Sequence, residues 1–389
     1  MINWQEVKEK VTIMNRIIKK IKAELEPAGI HINGTRPWDI QVKDDRLFER
    51  VVRNGSLGLG EAYMDGWWEA EALDRFFTRV LQARLEKKLA LKPAVILEYL
   101  KSLLTNRQNQ DKAYEIGEHH YDAGNDLYKI MLDKRMVYTC GYWQETETLD
   151  EAQEAKLDLV CRKIGLQSGQ RVLDIGCGWG SFAQYAAEEY GAEVVGITVS
   201  KEQVELGRER CKGLPVEIRL QDYREVNEPF DHIVSLGMIE HVGSKNYRTY
   251  MQTAHRCLKD DGIFLLHTIG SNRSVRTTDP WIEKYIFPNS QLPSIRQLAL
   301  ASEGLFVMED WQNFGVHYDK TLMAWYQNFD AGWDELKSTY SERFYRMWTY
   351  YLLSCAGSFR ARKNQLWQIV FSKQGISGGF VPPRYRSEG

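Results

Sequence analysis

From about residue 170 the chain settles into a rhythm in which short runs of branched apolar residues alternate with longer stretches of helical periodicity. RVLDI (171–175), EVVGIT (193–198), VEIRL (216–220), DHIVSL (231–236) and IFLLHT (263–268) read as short buried strands. SFAQYAAEEY (181–190), KEQVELGRERC (201–211) and KNYRTYMQTAHRCL (245–258) read as the helices between them. Such alternation predicts an α/β fold with a parallel, doubly wound sheet. QLWQIVFSK (365–373) supplies a late strand that could close the sheet.

The N-terminal part follows another pattern. Val7, Val11, Met14, Ile18, Ile21 and Leu25 recur at helical spacing, with Lys8, Lys10, Arg16, Lys19, Lys20 and Lys22 on the other faces, and Pro27 and Gly29 end the run. A basic amphipathic helix of this kind lies on anionic lipid, or packs on its own domain or a dimer partner. A glycine- and aromatic-rich stretch follows from Gly55 to Phe77, and Gly58-Leu59-Gly60 within it lacks the GK[ST] of a phosphate loop. A charged segment from Arg84 to Lys112 reads as a connector.

Length and composition divide the chain further. At 389 residues and 43% hydrophobic it is too long for one ordinary core, so we expect a smaller, mainly helical N-terminal domain over 1–110 and an α/β domain over 111–389. A formal charge of −2 offers no global attraction for nucleic acid, so binding to an anionic surface rests on local basic clusters. The six cysteines form no CxxC pair and no zinc-ligand spacing, so no metal is expected. The N-terminus has no apolar signal region and no apolar run approaches the ~18 residues that span a bilayer. The expected setting is a reduced cytoplasm, with any membrane met from its surface.

The most informative motif is VLDIGCGWG, Val172 to Gly180. A strand ends at Asp174, and Gly176, Gly178 and Gly180, with Cys177 between the first two, make a tight turn into a helix, where backbone can approach a ligand at the carboxyl ends of the strands. The glycine spacing departs from the GxGxxG of dinucleotide folds. With Asp174 just ahead it resembles the first motif of class I methyltransferases, which implies a Rossmann-like sheet. The second strand ends without the usual ribose-binding acid, so Thr198 and Gln203 are the candidate hydrogen-bonding groups there. After the third strand, Asp222 is placed to read an adenine amine, or is a solvated turn residue, and Tyr223 to stack on the ring.

Taken together, GSLGLGEAYMDGWWE, EHHYDAGNDLY, YTCGYW, VLDIGCGWG, GMIEHVG, LLHTIGS, DPWIEKYIFPN and YYLLSCAGSFR resemble the cyclopropane-fatty-acyl-phospholipid synthases over nearly the whole chain. The resemblance implies S-adenosylmethionine as cofactor, an unsaturated phospholipid in a membrane surface as substrate, a homodimer, and a lipid-binding or dimerisation role for the N-terminal domain. It implies a bicarbonate ion as base, held by Cys140, Glu240, His267, the backbone of Ile269, and Tyr318. Tyr138 and Thr139 would touch the methionine end of the cofactor, under a segment ordered by His119, His120 and Tyr121. Cys355, in SCAGSF, is a further candidate at a motif position associated with a nucleophile. Cys140 and Cys355 read equally as packed, buried thiols. Ile239 stands where relatives often carry an aromatic residue, which bears on acyl preference if that side chain lines the acyl channel.

Three rivals remain. A relative adding a methyl branch, or methylating a small amine, would share the glycine turn. A nucleic-acid methyltransferase would need a [DN]PP[YF] motif after the fourth strand, which is absent. A non-catalytic membrane-binding protein would leave the cofactor turn without a purpose.

Overall fold

The computed structural model describes residues 18–19, 21–85, 124–275 and 277–383. Of the helix expected over residues 7–25, residues 18–19 and 21–25 are described and helical, while its part before Ile18, the connector beyond Leu85, and His119, His120 and Tyr121 lie outside the described residues. In chain order the elements are β1 (Gln41–Val42), α1 (Arg46–Met64), β2 (Trp68–Glu69), α2 (Leu73–Gln82), α3 (Asn125–Met131), α4 (Leu149–Lys163), β3 (Arg171–Ile175), α5 (Ser181–Tyr190), β4 (Glu193–Thr198), α6 (Lys201–Arg210), β5 (Val216–Leu220), β6 (Phe230–Leu236), α7 (Tyr247–Cys257), β7 (Leu258–Ser271), α8 (Pro280–Tyr285), α9 (Ile295–Ser302), β8 (Val307–Asn313), α10 (Val316–Ala331), α11 (Glu342–Arg360) and β9 (Asn364–Ser372). They form two units that are not contiguous in sequence.

The first unit takes the described residues up to Leu85 and adds 279–286 and 333–363, which return to it late in the chain. A single boundary at residue 110 therefore misses two pieces. The reason is packing. In α1, a Cβ on Gly60 would stand 2.3 Å from the Trp281 ring, so only glycine lets α8 lie this close. Tyr350 of α11 meets Tyr63, Trp68, Phe77 and Trp281 at centroid separations of 4.5–6.5 Å, a geometry that favours edge and tilted ring pairs. Glu61, buried in α1, accepts from Lys284 (2.6 Å), Tyr285 (2.9 Å) and Arg50 (2.9 Å). Burial opposes its ionisation, but these donors hold the carboxyl below its ordinary range. The glycine-rich stretch thus lies largely in α1 and α2 on either side of β2, and α1 is kinked at Gly55, whose φ of 59° lies in the left-handed region.

The second unit carries a seven-stranded sheet in the order β5-β4-β3-β6-β7-β9-β8. The first five in that order are parallel, while β9 runs antiparallel between β7 and β8. The five strands expected from the sequence are all present. The late strand does not close the sheet as expected: it is inserted between β7 and an edge strand, β8. Because side chains alternate along a strand, two cores form. Leu173, Ile175, Val195, Ile233, Phe264 and Ile369 face α7 and α9. Val172, Val194, Val234, Leu265 and Val370 face α4, α5 and α6. Asp174, His267 and Gln368, two residues from Val172, Leu265 and Val370, share that second face. Ile239, expected to bear on an acyl channel, is fully buried within the first core.

Candidate active site

The glycine turn opens at the carboxyl end of β3, where the N–H groups of Gly176 and Cys177 both donate to the Ile197 carbonyl (3.0 Å each). Gly176 has φ of 82° and Gly178 has φ of 57°, values that side chains other than glycine adopt at a cost. A Cβ on Gly176 would clash with Met238 at 2.6 Å, whereas one on Gly178 would meet nothing within 4 Å. The space over Gly178 is open at the end of the sheet where such folds take ligands. Gly178→Ala is therefore expected to leave the protein folded, losing about 1 kcal/mol to backbone strain. Its cofactor affinity should fall at least about tenfold, near 1.4 kcal/mol, because the methyl fills that space. Calorimetric titration with S-adenosylmethionine checks this; unchanged affinity would mean that the ligand does not approach Gly178.

Asp174, 2% exposed, has its carboxyl pushed up to about 7 by burial, with Lys156 opposing the shift. Lys156 projects from α4 and is completely buried, and its Nζ donates to Thr139 Oγ1 at 2.9 Å. Burial lowers its ammonium to about 8, while Asp133, Cys140 and Asp174 act to raise it. Three residues earlier on the helix, Gln153 donates to the carbonyls of Val137 (3.3 Å) and Thr139 (2.7 Å). Asp133 accepts from the N–H groups of Arg135 (2.9 Å) and Val137 (2.8 Å). The segment carrying Tyr138, Thr139 and Cys140 is thus fixed from beneath by one face of α4. A Cβ on Gly237, at the end of β6, would stand 2.8 Å from the Thr139 methyl, which sets Thr139 beside the strand ends. Lys156 and Gln153 escaped the sequence reading. Their signal was a lysine and a glutamine three apart in QEAK, on a helix whose charges otherwise read as solvated.

A second group gathers where β6 and β7 end. Glu240 lies in a short 3-10 turn after β6, and its Oε1 accepts from the Ile269 N–H at 2.7 Å. Its Oε2 is buried with no partner. Burial pushes this carboxyl up to about 7, although the Ile269 bond pulls the other way. The Thr268 hydroxyl donates to the Ile269 carbonyl (2.9 Å) and also acts on Glu240 to favour its ionised form. His267, 1% exposed, has its Nδ1 3.3 Å from Gln368 Nε2 and its Nε2 buried with no partner. Burial drives its imidazolium far below the usual range, so the ring is neutral. Phe314 lies between two groups of site residues, 5.6 Å from the ring of His267 and 5.6 Å from that of Tyr142.

Cys140 and Tyr318 are tied to each other's neighbourhood through Thr321 of α10. The Cys140 thiol lies 3.1 Å from the Gly141 carbonyl and 3.8 Å from Thr321 Oγ1 of α10. Burial holds the thiol well above its ordinary value, so it stays protonated. Thr321 also accepts from the Gly141 N–H (3.1 Å) and Trp143 Nε1 (2.9 Å), tying the loop to the helix one turn from Tyr318. A file of rings runs from the glycine turn to that tyrosine: Trp179, Tyr128, Tyr138, Trp325 and Tyr318, with successive centroids 4.9–5.9 Å apart.

Other candidates stand differently from expectation. The Ile269 N–H, expected as a donor to an anion, is taken by Glu240. Asp222 accepts from the Arg224 backbone (2.9 Å) and guanidinium (2.7 Å), so both its oxygens are engaged. Tyr223 is 3% exposed, with Tyr250 at 5.3 Å and the Arg224 guanidinium at 4.6 Å from its ring. Thr198 donates to Gln203 Oε1 at 2.7 Å, so these two satisfy each other. Cys355 sits in α11 of the first unit, and burial pushes its thiol up to about 12.

The chain as a whole has counterparts among known proteins. Residues 108–369 match the family described as mycolic acid cyclopropane synthetase. The chain belongs to that family. It is 56% identical over 355 residues to the cyclopropane-fatty-acyl-phospholipid synthase of Escherichia coli (strain K12), covering 91% of this chain and 93% of that one. The structure of mycolic acid cyclopropane synthase CmaA1 complexed with SAH and CTAB superposes with a TM-score of 0.62 and 33% identity, covering 67% of this chain and 98% of that one. Coclaurine N-methyltransferase bound to N-methylheliamine and SAH gives a TM-score of 0.68 at 25% identity, covering 81% and 99%. This member of the cyclopropane synthetase family is an S-adenosylmethionine-dependent methyltransferase with the class I fold.

Proposed function

We propose that this enzyme builds a cyclopropane ring across the cis double bond of an unsaturated phospholipid acyl chain, with a bound bicarbonate ion as base. In support stands the 56% identity to the E. coli enzyme, whose name states that activity. The observation that carries the base assignment is that two of the buried polar atoms without partners among the described residues, Glu240 Oε2 and His267 Nε2, lie on neighbouring strand-end segments. Such atoms are rare in native interiors and call for an occupant. S-adenosylmethionine supplies the methyl group through its sulfonium, and bicarbonate supplies the oxygen that accepts a proton.

The alkene carbon attacks the methyl as its bond to sulfur breaks, which leaves a cation on the chain. One proton must then leave the transferred methyl so that the electron pair of its C–H bond closes the ring. The file of rings from Trp179 to Tyr318 keeps water from the cation and offers it π-faces. A neutral His267 donates to the anion, and Tyr318 supplies a phenol. Glu240, near its midpoint at neutral pH, shares one proton with the anion, so two full negative charges are never set face to face. The Ile269 N–H orients Glu240 rather than the anion.

Association with the inner face of the membrane, a homodimer, and lipid binding by the first unit belong to the same proposal. Among the described residues no helix is long and apolar enough to cross a membrane. A second reading, methylation of a small amine, is favoured by the likeness to coclaurine N-methyltransferase. Bicarbonate dependence separates the two, because amine methylation needs no base at a transferred methyl. In carbon-dioxide-free buffer, turnover should fall by at least about tenfold, the lower end for a missing general base being ~10², and added bicarbonate should restore it. Full activity in depleted buffer would reject the base assignment.

A further inference from the structure

We propose that Gln368 fixes the tautomer of His267, so that the imidazole presents its Nε2–H as a standing donor to the anion. The inference rests on the proposed reading that an anion occupies the site. Gln368 lies on β9 directly opposite His267 on β7, and directly opposed residues project to the same face of a sheet. Gln368 is fully buried, and its Nε2 lies 3.3 Å from His267 Nδ1. An amide nitrogen has only protons to give, so Nδ1 must be the nitrogen with the lone pair, and the single ring proton sits on Nε2.

Gln368 Oε1 is buried without a hydrogen-bond partner among the described residues, so the amide nitrogen alone carries the contact to the ring. Burial keeps a second proton off the ring, and the nearby ammonium groups of Lys156 and Lys163 act in the same direction. Phe314 packs edge-on against the imidazole at an interplanar angle of 66°, which resists a ring flip. Were the amide turned over, its oxygen would demand a proton on Nδ1. Nε2 would then present a lone pair to the anion, the arrangement least able to hold it. The insertion of β9 beside β7 acquires a purpose here, because it brings an amide to the far nitrogen of the active-site histidine. Gln312 of β8 stands opposite Gln368 in turn, which extends the polar row across a third strand. Gln368 acts through His267, and is a positioning residue.

The test is nitrogen NMR of the full-length enzyme labelled with ¹⁵N-histidine, with His267 assigned by its loss in His267→Gln. The expected spectrum shows His267 protonated at Nε2 and bare at Nδ1. In Gln368→Met the lock is gone, so both tautomers should appear, and kcat should fall ~10-fold with the KM for S-adenosylmethionine unchanged. Gln368→Glu, whose buried carboxyl accepts, should move the proton to Nδ1 and lower kcat ~10²-fold or more. A wild-type His267 protonated at Nδ1 would overturn the proposal even if neither variant folds, and so would a tautomer unchanged in Gln368→Met. An Nε2–H tautomer in an enzyme indifferent to bicarbonate would uphold the lock and reject the anion as its purpose.

Discussion

Replacing Lys156 with methionine is expected to destabilise the folded enzyme by about 3–5 kcal/mol at neutral pH. The buried ammonium faces the field of Asp133 and Asp174, whose carboxyls burial has already pushed up to about 6 and about 7. Without it, two carboxylates lose the cation that makes their charge tolerable in the interior. Both groups have folded pKa values above their unfolded ones. The stabilisation tied to their neutral forms is therefore complete near pH 4 and lost as pH rises through about 7. The cost of Lys156→Met should accordingly be smaller at pH 5, where both carboxyls take up protons, than at pH 7.5. Urea unfolding at the two pH values checks it. Equal stability of variant and wild type at both would mean that the lysine merely fills space. Cofactor affinity should fall as well, because Thr139 loses the ammonium that holds its hydroxyl.

The second large effect is chemical. Glu240→Gln is expected to lower kcat on the order of 10²-fold while leaving the affinity for S-adenosylmethionine within about threefold, a change below ~1 kcal/mol. Glutamine keeps the oxygen that accepts from Ile269, and nearly the same volume, but its amide cannot share a proton with an anion. The same variant carries a pH signature in its stability. Burial pushes the folded carboxyl up to about 7 from its ordinary 4.5, so the wild type loses that contribution as pH rises through about 7, and glutamine does not. Relative to wild type, Glu240→Gln should gain stability between pH 5 and 8, by at most about 3 kcal/mol. A variant with near-normal kcat would remove Glu240 from the chemistry. A stability difference flat with pH would place its titration elsewhere.

Much of the catalytic unit was legible because local signals agreed with one another. RVLDI, EVVGIT and VEIRL coincide with β3, β4 and β5, and SFAQYAAEEY with α5, since the Gly176–Gly180 turn and the flanking glycines punctuate them sharply. Less legible was whatever depends on long-range pairing. Nothing local in QLWQIVFSK states that it slips between β7 and β8. Nothing in DPWIEKY or YYLLSCAGSFR states that these segments return to the first unit, where α8 and α11 complete a core begun by Tyr63 and Trp68.

The candidate site divides in the same way. Glu240 follows the end of β6 and His267 lies within β7, and both fall in strings that resemble one family, which is why they were singled out together. That the Ile269 N–H serves Glu240 depends on the exact course of one turn and one strand, which residue types do not encode. Lys156 was hidden because a lysine in LDEAQEAKLDLVCRK has the composition of a solvated helix. Only the packing of α4 on the second face of the sheet buries it. Tyr223 was hard to place because an aromatic after the third strand suits either a ligand or a core, and its contact with Tyr250 depends on long-range packing.

The central claim is that the transferred carbon ends in a ring on a lipid chain. The most direct measurement is mass spectrometry of phospholipid recovered after the enzyme has acted on vesicles of a monounsaturated phospholipid with methyl-labelled S-adenosylmethionine. The account predicts a lipid heavier by one methylene that carries the label and no longer takes up hydrogen as an alkene does. A labelled chain that still holds its double bond, or label found only on an amine, would contradict it.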